Sequence, residues 1–207
     1  MLTTVARSVL VMLLGLALQG CLYEANLDSA GKGTMTVTIA LPTRQDLDNV
    51  KGDMQSSAVR VTSADFVEDA ERNRGIIKLA FDDVTQLSTT RFFHDVAVTR
   101  SEGINGTKVL TAVAKHNPVS ELPEAVLKRF GPEIKVVVTF AAQVVEANGT
   151  VSGGNTVTWT WGVKDYFKQP EIIMTVAYKA TPATAGPATA APVPATPAGT
   201  PAAGGQR

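Results

Sequence analysis

The chain has 207 residues, of which 19 are Lys or Arg and 19 are Asp or Glu, so its formal net charge is zero. That balance offers no basic excess to neutralise phosphates, and nucleic acid is not an expected partner. With a single cysteine and two histidines, neither a disulfide framework nor a Cys/His zinc site is expected.

Residues 1–20 read as an export signal. Arg7 supplies a short positive region, and Val9 to Leu18 is an apolar run of about ten residues broken by Gly15, roughly half of what spans a bilayer. Leu18-Gln19-Gly20-Cys21 then resembles the lipobox of bacterial lipoproteins, with an aliphatic residue three before the cysteine and a small residue just before it. The resemblance implies cleavage between Gly20 and Cys21 and a diacylglyceryl group on the Cys21 sulfur. Each buried methylene contributes about 0.8 kcal/mol, so two or three acyl chains hold a protein on a membrane where one does not. An uncleaved anchor helix, or an ordinary signal ending in Cys by chance, is the alternative. The position of the sole cysteine favours lipidation. Once Cys21 is acylated no thiol is left, and stability must come from an apolar core. Leu22 stands where an Asp commonly retains lipoproteins on the inner membrane. The chain is therefore expected to be exported and lipid-anchored to the cell membrane, the outer one where the host has two.

Residues 21–33 (CLYEANLDSAGKG) are expected to be the lipidated N-terminus and a polar tether. Met35 to Leu41 alternates like a strand and ends at Pro42. Thr43 with Asp46 resembles a helix start, followed by Leu47, Val50 and Met54 on one face, although Gly52 weakens it. Ala58 to Thr62 and Ile76 to Phe81 read as strands, separated by an acidic stretch and an Asn73-Arg74-Gly75 turn. Asp82 or Asp83 suits the cap of a short helical turn. Phe92 to Arg100 and Thr107 to Lys115 read as strands joined across Asn105-Gly106, a dipeptide that tolerates positive φ. Pro123 to Phe130 carries helix-start and helix-stop signals, with Gly131 as left-handed cap, and buries Val126, Leu127 and Phe130. Ile134 to Val145 reads as one long strand, and Asn148-Gly149 as a turn. Thr156 to Trp161 and Ile172 to Tyr178 alternate strictly, apolar residues on one side.

That one-sided alternation predicts an α+β fold: a largely antiparallel β-sheet with two or three helices packed on one face, in a single domain over 34–180. Residues 181–207 are rich in Ala, Pro and Thr and lack aromatic residues, so a disordered tail is expected, as a passive solubilising segment or a spacer.

AFDDVTQL at 80–87 and VVEANGTVSGGNTVTWTW at 144–161, with a strand soon after the lipid cysteine, resemble the LppM-type lipoprotein domain family. The resemblance implies an exported, membrane-tethered α+β domain that binds lipids or envelope glycolipids, and it carries over no catalytic residue.

The residues offer little reactive chemistry. His94-Asp95 falls in an expected strand, where consecutive side chains point to opposite faces, so no metal site is expected there. Neither GxSxG nor SxxK occurs, and Gly153-Gly154 precedes a strand, not a helix. Glu68, Asp69 and Glu71, like Asp82 and Asp83, lack EF-hand spacing and read as solvated turns. No catalytic residue, metal or cofactor is expected. The one candidate site is an apolar wall of Val157, Trp159 and Trp161, which reads either as core packing or as the side of a lipid groove bordered by Ala141, Ala142 and Ala177. The expected function is a non-enzymatic envelope lipoprotein binding a lipid, glycolipid or envelope protein. An assembly or scaffolding lipoprotein with no small ligand is the alternative.

Overall fold

The computed structural model describes residues 21–179 except 71, 120, 125, 126 and 128–130. The expected export signal over 1–20, the expected tail over 181–207 and most of the expected helix 123–130 lie outside the described residues. Within that last segment, Leu127 N–H donates to the Pro123 carbonyl at 3.2 Å and Gly131 N–H to Leu127 at 2.9 Å. Gly131 takes φ 78°, the left-handed cap its type allows.

Eleven strands among these residues form two sheets. The larger runs in the order β3 (Val59–Val67), β4 (Arg74–Phe81), β2 (Gly33–Ala40), β1 (Cys21–Leu27), β7 (Glu133–Phe140), β10 (Thr156–Gly162) and β9 (Thr150–Ser152). The smaller runs β5 (Val96–Glu102), β6 (Thr107–Lys115), β11 (Glu171–Lys179) and β8 (Gln143–Ala147). All neighbours are antiparallel except β1 and β7.

Register turns alternation into one apolar face. Ile77, Val37, Tyr23, Val136 and Trp159 stand in a row across five strands of the large sheet, and Leu79, Met35, Ala25, Val138 and Val157 in the next. The small sheet answers with Val98, Leu110, Val176 and Tyr178, which join the same core. Phe140 and Tyr178 meet across the sheets with ring centroids 4.8 Å apart.

The layer facing the large sheet is therefore a second sheet, where the sequence predicts helices. Helix α1 (Arg44–Asp53) lies beside β3, and α2 (Val163–Lys168) beside β10 and β7. The predicted start of α1 is present: Thr43 and Asp46 form a reciprocal capping box. Asp83 caps a 3-10 helix, Val84–Thr89.

Three expectations need correction. The tether over 21–33 is not a tether in its first half: Cys21–Leu27 is β1, a central strand paired with both β2 and β7. Cys21, Tyr23, Ala25 and Leu27 face inward while Glu24 and Asn26 face out, an alternation interrupted only by the buried Leu22. The long strand 134–145 is two strands in different sheets, because the chain leaves the large sheet at Ala141, whose N–H donates to the Leu27 carbonyl at 2.8 Å. The strand expected from Phe92 begins only at Val96, since Thr90 and the turn after it place Phe92 and Phe93 against the core.

Candidate functional site

A cavity of about 340 Å³ lies between the two sheets. Its large-sheet wall is built by every second residue of β1, from Cys21 to Leu27, flanked by Val136 and Val138 of β7 and by Trp159 and Trp161 of β10. The opposite wall comes from Val98, Leu110, Ala112, Ala114, Met174 and Val176 on β5, β6 and β11. Ala25 on β1 and Ala112 and Ala114 on β6 are among the lining residues, and side chains this short leave space between the sheets unfilled. Phe92 and Phe93 close one side with Val84 and Leu87.

Polar groups gather at one end. Asp95 and Lys115 are exposed and adjacent, Lys115 N–H donating to the Asp95 carbonyl at 2.9 Å, and His116 follows. The His116 ring stacks on Tyr166 at 4.9 Å, and its Nε2 lies 2.9 Å from the Tyr166 carbonyl. Tyr166 in turn meets Trp161 edge-on at 5.9 Å. Trp161 pairs with Ile134, which pairs with Cys21, so the first residue of β1 lies at this same end. The site is thus an apolar slot with an aromatic and charged mouth, the form that suits a long apolar group ending in a polar head.

Electrostatics agree with that shape. Burial pushes the Tyr23 phenol well above its ordinary value of 10.0, with the neighbouring Cys21 adding to the rise. Burial raises Tyr166 as well. Both phenols stay neutral at physiological pH, leaving the slot uncharged along its length.

Two of the three residues of the sequence-derived wall border the cavity. Trp159 and Trp161 line the cavity, but Val157 is fully buried in the core and does not reach it. Trp159 serves both readings: its indole face borders the cavity while its Nε1–H donates to Asn148 Oδ1 at 2.8 Å. Ala141, Ala142 and Ala177 do not border the space. Cys21 lies on the cavity wall and is 5% exposed. His94 and Asp95 sit in a turn, not the expected strand, and their side chains meet instead of pointing apart, His94 Nε2 lying 3.1 Å from Asp95 Oδ2. Asp82 pairs with Lys32 and Asp83 with Arg100, each at 2.9 Å, and the hydrogen bond from Lys32 holds the Asp82 carboxyl below its usual range.

Sequence reasoning missed Tyr23, Ala25, Ala112 and Ala114, although each stands in a period-two pattern that ends at a visible turn. It also missed Tyr166 and Phe167, because a six-residue helix without a side-chain cap carries no periodicity to read.

A model of the LppM domain family matches residues 26–166 of the chain. No curated protein sequence matches it. Among solved structures, the NMR structure of the folded domain of the Mycobacterium tuberculosis LppM protein is similar at 12% sequence identity and a TM-score of 0.47, covering 80% of this chain and 94% of that one.

Proposed function

The chain belongs to the LppM domain family, and from that premise we propose that it is a lipid-anchored envelope protein whose inter-sheet cavity holds an acyl chain of a lipid or glycolipid. The observation that carries the proposal is the cavity itself, an apolar slot with one polar mouth. Cys21 bears the anchor, and the absence of an Asp at position 22 favours the outer membrane in a host with two. The function is binding, not catalysis: the walls are hydrocarbon and aromatic, and His116 Nε2 at the mouth is engaged with the Tyr166 carbonyl.

Native mass spectrometry of the unacylated mature chain, exposed to total envelope lipids, tests this. Bound mass identified as lipid by organic extraction is the expected result. A clean protein mass that envelope lipids leave unchanged overturns the proposal.

One observation favours a second reading, that of an assembly lipoprotein. The outer face of the small sheet carries Thr99, Thr111 and Thr175 in one row and Ala97, Val113 and Ile173 in the next, with no charge among them. Two adjacent uncharged rows on an open sheet face suit protein contact. The clean-mass outcome leaves this reading in front.

A further inference from the structure

The attachment point of the anchor and the wall of the cavity are the same residue. Cys21 pairs with Ile134 of β7, and the next residue, Leu22, pairs with Thr38 of β2, so the strand is held from both sides at its first residues. Cys21, Tyr23, Ala25 and Leu27 all border the cavity. A substituent on the Cys21 sulfur therefore starts inside the slot, not on the outer surface, and at the end where the mouth lies.

We infer that, away from a bilayer, one acyl chain of the diacylglyceryl group on Cys21 lodges in the inter-sheet cavity, so that the anchor is the site's own resident ligand. The inference rests on the lipid-binding reading and on lipidation of Cys21, and it adds how the site is regulated. Dimensions fit. The wall follows β1 for six residue steps, about 20 Å at ~3.3 Å each. An acyl chain occupies one leaflet, about 15 Å or half of the ~30 Å hydrocarbon core. The volume of about 340 Å³ is at the lower end of ligand sites, which run from roughly 300 to 1,000 Å³, and it admits one chain, not the full set.

The energetics give the direction of exchange. Each methylene left in water costs about 0.8 kcal/mol, so a chain that begins at the cavity wall enters it when no membrane is at hand. Tethering raises its effective concentration to the order of millimolar, which a free lipid must exceed to compete. A bilayer is as apolar as the slot and takes all the chains, so membrane insertion empties the cavity. The anchor thus closes the site in water and opens it at the membrane.

The test compares two forms of the full mature chain, acylated protein from envelopes and unacylated protein. In vesicle-free buffer, NMR of the acylated form should show nuclear Overhauser contacts from acyl methylenes to the Met35, Leu110 and Val138 methyl groups. These contacts should vanish in phosphatidylethanolamine–phosphatidylglycerol vesicles. Titration with cis-parinaric acid in buffer should show at least tenfold weaker binding to the acylated form than to the unacylated one. Absence of the contacts, with equal parinaric acid affinity for the two forms, overturns the inference while leaving the lipid-binding reading intact. Failure of the unacylated form to bind parinaric acid or any envelope lipid overturns that broader reading instead.

Discussion

Asn148, in the turn after β8, ties β10 and β11 together with one side chain. Its Oδ1 accepts from the Trp159 indole N–H and from the Thr175 N–H, and its Nδ2 donates to the Ile173 carbonyl, each at 2.8 Å. Gly149 beside it has no room for a side chain, since a Cβ would lie 2.7 Å from Trp159 Nε1. Replacing Asn148 with Ala removes all three bonds, of which only the one from Trp159 is part-buried, and should cost about 1 kcal/mol, read from the midpoint of urea unfolding. Tyr23 supplies a pH dependence. Its phenol is raised in the folded state, so the folded chain keeps the proton after the unfolded chain has lost it. The group's contribution is therefore fully present below the ordinary value of 10.0 and declines as pH rises above it. Thermal melting should be insensitive to this group from pH 7 to 9 and fall beyond about pH 10, with a shallower alkaline fall in Tyr23→Phe.

Among the elements, α1 was the most legible because its signal is local. The Thr43–Asp46 spacing satisfies two backbone donors reciprocally whatever the rest of the fold does. Thr43→Ala should lower stability by about 1 kcal/mol and reduce the helical circular dichroism signal, with the sheet signal unchanged. The Asn105-Gly106 turn was legible for the same reason; both residues take positive φ, 58° and 72°. Less legible were β1 and the break between β7 and β8. An unbroken apolar run such as 134–145 says that a segment is buried but not that it bends between two sheets. The bend is held by the Ala141 N–H to Leu27 carbonyl bond, a contact between residues far apart in sequence. α2 had no signal of its own, yet it delivers Tyr166 and Phe167 to the mouth.

At the scale of the molecule, small residues from both sheets line the cavity, Ala25 on one and Ala112 and Ala114 on the other. Ala112→Phe should fill it from the β6 side. Native mass spectrometry is then expected to show bound lipid lost, while the melting temperature stays within a few degrees of the wild type, because the ring enters existing space and overpacks nothing. A large fall in melting temperature would instead mean that the space is already filled by core side chains. The sequence alone determined the α1 cap, the Asn-Gly turn and the strict alternation of β10 and β11, since each follows from neighbours within a few residues. It also located two of the three residues of the proposed wall. Only the tertiary structure decided that a second sheet covers the first, that Val157 is core and Ala112 is wall, and that Cys21 stands inside the cavity. The physical reason is that alternation tells which residues share a face, whereas which faces meet, and where small residues fall opposite one another, depends on pairing between distant strands.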